Sequence, residues 1–244
     1  MIRQLIFTAI ALAAVSGSAQ AQNSGNVYRP TGTRIISQGE TVDPDFARRL
    51  LKLTAACVNR YDAEGVVALL RGGNQVAVDY ADAGVRDEAD LSPLRLSECL
   101  HEALNGSQVV VEMRIPPRAL RTVLAEEAYL QRHADPLDIA PGSPQVLAGR
   151  TVIGGQTPAQ SQAMGTFADC LVYHAPTEAD RLLRGPVGGD IESERVRALV
   201  PTIARCLNEG QEANFTNGAI RDFVADGLWA RSEYGAAQVS GNSE

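Results

Sequence analysis

Cysteine is the residue type in this sequence with the clearest chemical meaning, because four cysteines fall at widely separated positions. They are Cys57, Cys99, Cys170 and Cys206. The spacing contains no Cys-x-x-Cys pair, which argues against a thioredoxin-like redox site and against a zinc ribbon. In an exported protein an even number of cysteines indicates disulfide bonds, and four cysteines allow three pairings.

Recognisable motifs for catalysis, metal binding and phosphate binding are missing from the sequence. His101-Glu102 begins like the zinc-protease motif His-Glu-x-x-His, but Asn105 occupies the position of the second histidine. After residue 21 the chain has no Gly-x-Ser-x-Gly, Ser-x-x-Lys or Gly-x-x-x-x-Gly-Lys segment. The sequence therefore predicts no catalytic residue, no bound metal and no cofactor.

The first 21 residues follow the pattern of a secretory signal peptide. Arg3 precedes an apolar run from Leu5 to Val15, and Ala19-Gln20-Ala21 forms a small-x-small cleavage site. The run is too short for a membrane-spanning helix, which needs roughly 20 residues. We expect cleavage after Ala21 and a periplasmic or secreted product without a transmembrane anchor, in a compartment where disulfides persist.

Composition and charge exclude several classes of protein and one class of partner. With 45% hydrophobic and 21% charged residues, the chain is neither collagen-like, disordered nor a polytopic membrane protein. It carries 22 Lys and Arg against 29 Asp and Glu, a net charge of -7, and its basic residues are scattered among acidic ones. Nucleic acid is not an expected partner, because proteins that hold phosphate backbones present basic patches.

Several short segments occur twice in the same order, which indicates an internal duplication. The matched segments are Leu69-Leu70-Arg71-Gly72 with Leu182-Leu183-Arg184-Gly185, Cys99-Leu100-His101-Glu102 with Cys206-Leu207-Asn208-Glu209, and Ala119-Leu120-Arg121 with Ala219-Ile220-Arg221. The predicted divisions are a signal peptide (1–21), a disordered leader (22–45), unit one (46–132), a linker (133–157), unit two (158–231) and a flexible tail (232–244).

Each unit is predicted to contain four helices, so the expected fold class is mainly α with two duplicated four-helix units. Gly72 and Gly185 are expected to cap the second helices in a left-handed conformation, and Pro201 to start or kink a third helix. Residues 109–115 alternate with period two, and 212–216 are their shorter counterpart. These two segments predict a small β-ribbon in front of the last helices.

The duplication selects one cysteine pairing, because a copied unit with two cysteines most simply carries its own bond. We therefore predict Cys57–Cys99 and Cys170–Cys206, each stabilising the fold by about 4 kcal/mol on the chain-entropy model. The alternative is that the cysteines are buried free thiols packed as small apolar residues.

Charged residues that recur in both copies are the remaining candidates for a site. They are Arg71 with Arg184, Arg121 with Arg221, and Glu102 with Glu209; Glu126 with Asp226 is a further acidic match. In one interpretation the arginines cap helix C-termini or pair with helix carboxylates. In the other, they grip an anionic ligand at two equivalent sites.

The order of these segments resembles a group of exported bacterial proteins that have no assigned activity. The resemblance covers most of residues 46–231 and implies a fold and a compartment, but no reaction and no functional residue. We expect a non-catalytic structural or binding protein whose partner is an envelope protein or another envelope component. The alternative is a small-ligand carrier or an enzyme with its site in the cleft between the two units.

Overall fold

A computed structural model describes residues 43–72, 94–104, 115–140, 142–147, 158–207 and 213–239. Eight α-helices and no strands occur within these ranges, so the predicted mainly helical fold is confirmed. The helices are α1 (Pro44–Tyr61), α2 (Ala63–Gly72), α3 (Leu96–Ala103), α4 (Pro117–Arg132), α5 (Pro158–His174), α6 (Pro176–Leu183), α7 (Gly189–Cys206) and α8 (Asn217–Val239). Of the predicted β-ribbon, residues 109–114 and 212 lie outside the described residues, and Ile115 and residues 213–216 are not in a strand.

Proline and short polar side chains set several helix starts. A proline occupies the first turn of α1, α4 and α6, where its missing N–H removes no intrahelical hydrogen bond. Asp43 caps α1 by accepting a hydrogen bond from the Asp45 amide at 3.1 Å. At the start of α8, the Thr216 hydroxyl accepts one from the Ala219 amide at 3.2 Å. Local sequence thus determines where these helices start.

Two disulfide bonds join helices in the predicted pairing. Cys57 on α1 is bonded to Cys99 on α3, with Cα atoms 5.5 Å apart. Cys170 on α5 is bonded to Cys206 at the end of α7, with Cα atoms 5.8 Å apart. The interpretation of the cysteines as buried free thiols is therefore wrong.

The buried apolar residues form one continuous core that draws on all eight helices. Helices α4 and α8 lie against each other in the most extensive helix contact, and α8 also packs on α5, α6 and α7. Tyr129 and Trp229 are among the largest fully buried side chains. At Gly227 a Cβ atom would lie 2.6 Å from the Ala168 carbonyl oxygen, so glycine permits the close approach of α8 to α5. The second half of the chain thus shares its core with the first.

The turn between α6 and α7 differs from the sequence prediction. Gly185 does not have a positive φ angle; positive values occur at Gly188 (81°) and Gly189 (72°) instead. Helix α7 starts at Gly189, and Pro201 lies inside it rather than at its start. The helix packs on α5, α6 and α8, and this tertiary packing outweighs the local cost of an interior proline.

The predicted flexible tail, residues 232–244, is helical as far as Val239. Glu233 in this extension is ion-paired with two arginines, and Tyr234 packs edge-on against Trp229 with ring centroids 5.5 Å apart. These contacts anchor the end of α8 to the rest of the fold.

Part of the predicted linker, residues 133–157, belongs to the core. Val146 and Leu147 are buried, and the Val146 amide donates a hydrogen bond to Asp169 Oδ2 at 3.0 Å.

None of the helices in the described part of the chain is long and apolar enough to cross a membrane.

Candidate functional site

Arg121 and Arg221 occupy the second turns of α4 and α8, and both side chains are buried. Arg121 Nη1 donates a hydrogen bond of 3.1 Å to the Leu70 carbonyl near the end of α2. Arg221 Nη1 and Nη2 donate to the carbonyls of Leu182 (3.1 Å) and Leu183 (2.8 Å) at the end of α6. Each guanidinium thus satisfies carbonyl groups that a helix C-terminus leaves without an intrahelical partner.

The same two arginines pair with carboxylates on each other's helix. Arg121 Nη2 lies 3.2 Å from Asp226 Oδ1 on α8. Arg221 makes a two-point contact with Glu126 on α4, with Nε to Oε2 at 2.9 Å and Nη2 to Oε1 at 2.6 Å. The two ion pairs are reciprocal, because the sequence matches Arg121 with Arg221 and Glu126 with Asp226. Residue types that recur in the sequence therefore form corresponding contacts in the structure.

The two buried carboxylates respond differently to their arginines. Burial raises the pKa of Asp226, and its Arg121 contact does not fully offset this effect. Burial also acts to raise the pKa of Glu126, but hydrogen bonds from Arg221, together with Lys52, hold that pKa below its ordinary value. The two-point contact with Arg221 and the second cation, Lys52, thus stabilise the Glu126 carboxylate more than the single Arg121 contact stabilises that of Asp226.

Arg71 and Arg184 also make corresponding contacts, at the far ends of the central helices. Arg71 is ion-paired with Glu233 near the end of α8. Arg184 Nη2 donates a hydrogen bond of 2.7 Å to the His133 carbonyl, which follows α4, and Arg184 Nε donates one of 2.7 Å to Asp180 Oδ2. Both arginines therefore tie a short second helix to the end of the opposite long helix.

The recurring glutamates contribute less than the arginines to the contacts between helices. Glu102 forms an exposed ion pair with Arg60, and Glu209 lies outside the described residues. All four recurring arginines thus make internal contacts, as the interpretation based on caps and ion pairs predicts.

A charged network missed by the sequence analysis surrounds these pairs. Arg48 on α1 donates hydrogen bonds of 2.6 and 2.8 Å to the two oxygens of Glu192 on α7. Glu192 also accepts from the Gly188 amide at 3.0 Å and from Arg221 Nη1 at 3.3 Å. Lys52, the only lysine in the sequence, is ion-paired with both Glu126 and Glu127. The spacing of Arg48 and Lys52, one helical turn apart, is the only local signal that would have suggested a shared role.

A cleft of about 440 Å³ lies beside this network, between α1, α4 and the start of α8. Its charged lining residues are Arg48, Lys52, Arg118, Glu126, Arg221 and Asp222. Asp222 Oδ1 accepts a hydrogen bond of 3.0 Å from the Thr122 hydroxyl across the α4–α8 contact. Burial raises the pKa of Asp222 to about 6. Within the described residues, no group of three His, Cys, Asp or Glu side chains is arranged to hold a metal ion.

Comparisons with protein-family models, with curated proteins and with solved structures found no match to this chain. A functional proposal therefore rests on the contacts of its own residues.

Proposed function

We propose that this chain is a non-catalytic exported protein of the bacterial envelope, which acts by structure or by binding and is built from a helical unit duplicated once. The observation that carries the proposal is that the recurring arginines contact helix ends and carboxylates of the same chain. Residues retained twice thus serve to hold the two units together. We also propose that the chain is related to the exported bacterial proteins without assigned activity that its sequence resembles.

Reciprocal contacts support the duplication. When each residue of the Arg121–Asp226 pair is replaced by its match in the other copy, the result is the Arg221–Glu126 pair, which is also present. The hydrogen bond between Thr122 and Asp222 joins two positions that are matched with each other. Such exchange is typical of an isologous contact, in which one surface meets its own equivalent. The proposed units are α1–α4 and α5–α8, each with one disulfide.

Export is supported by the two disulfides, which persist mainly outside the cytoplasm. Expression of the full sequence in a bacterium, followed by fractionation and intact-mass measurement, tests this part of the proposal. We expect a periplasmic or secreted product that begins at Gln22 and contains no free thiol. A product retained in the cytoplasm with the first 21 residues still attached would contradict it.

A surface on α1 is our candidate for contact with an envelope protein. Phe46, Leu53 and Tyr61 are 41%, 56% and 54% exposed and project from one side of the helix. The Arg95 guanidinium lies over the Tyr61 ring at 4.7 Å. Large apolar side chains grouped on a surface, with arginine beside them, are typical of protein contacts.

A photocrosslinking amino acid placed at Leu53 in the native envelope tests this surface. We expect a discrete adduct with one envelope protein, because Leu53 is the most exposed large apolar side chain on α1. The matched control places the same amino acid at Thr177, an exposed position on α6. Adducts of the same identity from both positions, or none from Leu53, would argue against the proposed contact.

A small-ligand carrier or an enzyme is the second candidate, favoured by the 440 Å³ cleft. Arg48 and Lys52 from the proposed first unit face Arg221 and Asp222 from the second across this space. Convergent polar groups from two units are typical of ligand sites. Native mass spectrometry of protein purified from its own envelope tests this function: a bound small molecule that is lost in Lys52→Met would favour it over the first candidate.

A further inference from the structure

Most of the charged residues that line the 440 Å³ cleft already have a partner of opposite charge. Arg48 is ion-paired with Glu192. Glu126 is ion-paired with both Lys52 and Arg221. Groups in such pairs are satisfied within the chain and need no ligand. These contacts leave two charged lining residues to account for, one basic residue on α4 and one acidic residue on α8.

Arg118 and Asp222 are these two residues, and neither has a counter-ion in contact among the described residues. The guanidinium carbon of Arg118 lies 5.4 Å from the centre of the Phe223 ring. The Asp222 carboxylate accepts a hydrogen bond of 3.0 Å from the uncharged Thr122 hydroxyl. The charge of Arg118 acts to lower the pKa of Asp222, so the two groups lie near each other although they do not form an ion pair.

The rest of the cleft offers a mainly apolar surface. Apart from Thr216 and Gly218, the remaining lining residues are Leu51, Pro116, Ala119, Val123, Val187 and Ala219. A hydrocarbon group in contact with these side chains is removed from water, which favours its binding. The volume of the cleft lies within the range of small-molecule sites, roughly 300–1,000 Å³. The cleft therefore suits a small molecule that has an apolar body and carries both a negative and a positive group.

We propose that the cleft binds a free α-amino acid with an apolar side chain, which places its carboxylate on Arg118 and its ammonium group on Asp222. Both charged groups of such a ligand are attached to one carbon atom, so a single molecule supplies each residue with its counter-ion. A simple anion would satisfy Arg118 alone, and a simple amine would satisfy Asp222 alone. This inference rests on the second candidate function, because it names the ligand of the same cleft.

The ammonium group of the ligand favours the ionised form of Asp222. In the protein alone, burial raises the pKa of Asp222 to about 6. Glu126 on α4 adds to this effect, whereas Arg118 on α4 and Arg48 on α1 oppose it. An ammonium group in contact with the carboxylate lowers the pKa again, so binding near pH 6 releases a proton. The affinity for the amino acid should therefore fall by up to about tenfold per pH unit below pH about 6.

Calorimetric titration of the disulfide-bonded protein with L-valine, L-leucine and L-phenylalanine, each in turn at neutral pH, tests the proposal. We expect saturable binding of one molecule per chain for at least one of them. For the amino acid that binds most tightly, the N-acetyl derivative lacks the ammonium charge and the amide derivative lacks the carboxylate. Each derivative should bind about tenfold more weakly, as expected for loss of one charge-assisted contact. These derivatives test both charges without any substitution in the protein.

Two variants then assign each charge to its residue. Arg118→Gln should weaken binding of the amino acid and its N-acetyl derivative about tenfold, without weakening the amide. Asp222→Asn should weaken the amino acid and the amide, without weakening the N-acetyl derivative, and should abolish the fall in affinity below pH about 6. The matched controls are Arg197→Gln and Glu194→Gln, at exposed positions on α7, which should bind like the wild type. Circular dichroism and melting curves establish that each variant is folded.

Failure of the folded wild type to bind all three amino acids overturns the proposal, as does equal binding of an amino acid and both of its derivatives. A dileucine peptide that binds while the amino acids do not would replace the amino acid by a peptide. Native mass spectrometry separates these failures from failure of the second candidate function. A small molecule of another class that is lost in Lys52→Met would retain that function and overturn this inference, whereas a protein that neither carries a small molecule nor binds an amino acid would remove both.

Discussion

Two arginines at matched positions join the central helices through unequal sets of contacts. Arg221 contacts two carboxylates and the carbonyls at the end of α6, whereas Arg121 contacts one carboxylate and one carbonyl. The Arg121 guanidinium also lies 5.4 Å from the centre of the Trp229 ring, which adds a cation–π attraction. A buried ion pair is most sensitive to loss of one partner, because the other charge is then left without compensation.

Replacing Arg221 by methionine is expected to destabilise the protein by about 3–5 kcal/mol, because Glu126 and Glu192 lose a buried cation. Arg121→Met should cost less, since its partner Asp226 makes a single contact. Urea denaturation at neutral pH with the disulfides intact measures both free energies of unfolding. The exposed Arg71→Ala serves as the control and should cost no more than about 1 kcal/mol. Equal effects of the three substitutions would contradict this assignment.

Asp222 gives the fold a specific dependence on pH. Burial raises its folded-state pKa from 3.8 to about 6, against the effects of Thr122, Arg118 and Arg48, and Glu126 raises it further. The folded protein therefore binds this proton more tightly than the unfolded chain does. The stabilisation from protonation is complete below pH about 4 and is lost as the pH rises through about 6.

Asp222→Asn removes this titration, so its stability relative to the wild type should increase between pH about 4 and about 7. The difference in the free energy of unfolding between the two proteins, measured by urea denaturation across this range, isolates Asp222 from other groups. Thr122→Val is the matched control, because it removes the hydrogen bond to Asp222 and keeps the titrating carboxyl. A stability difference that does not change with pH would show that Asp222 is ionised as in water.

At the scale of the helices, the two disulfides close loops of similar length but have different surroundings. Cys57 and Cys99 are both fully buried, whereas Cys170 and Cys206 are partly exposed. On chain entropy alone each bond contributes about 4 kcal/mol. Because Cys57 and Cys99 are more deeply buried in the core, we expect the first bond to have the greater structural role.

Replacement of both Cys57 and Cys99 by alanine is expected to lower the free energy of unfolding by more than the same replacement of Cys170 and Cys206. The entropy loss is nearly equal for the two sequence separations, 42 and 36, so the difference reports the packing of the sulfur atoms. Thermal and urea denaturation of the two double variants measure it. A larger effect at Cys170 and Cys206 would place the more important bond in the second half.

Helices and cysteine pairs could be predicted from the sequence because they depend on local periodicity and on a repeated pattern. The contact between Arg121 and Asp226 could not, because it arises from the packing of α4 on α8. Asp222 shows the same limit, since its raised pKa depends on burial that no local pattern reports. Pro201 shows that packing also overrides a local rule, as α7 continues through it.

At the scale of the whole molecule, one core and reciprocal ion pairs join the two proposed units. Arg121–Asp226 and Arg221–Glu126 cross the α4–α8 contact in opposite directions. Tyr129 on α4 also donates a hydrogen bond of 2.8 Å to Asp180 on α6. Neither disulfide crosses between the halves, so noncovalent contacts such as these hold α1–α4 against α5–α8 once the chain is cut between them.

A protease site inserted between residues 147 and 158 tests whether those contacts suffice. After cleavage we expect both fragments to elute together in gel filtration as one species of unchanged size, because separation would expose the apolar surfaces of α4 and α8 and leave their charged pairs without partners. Non-reducing denaturing electrophoresis should show two bands and so verify that no covalent bond remains. The same cleavage in Arg221→Met should weaken the association, since that substitution removes the two-point contact with Glu126. Fragments of the unsubstituted protein that separate under native conditions would mean that the connecting segment, rather than the shared core, keeps the halves together.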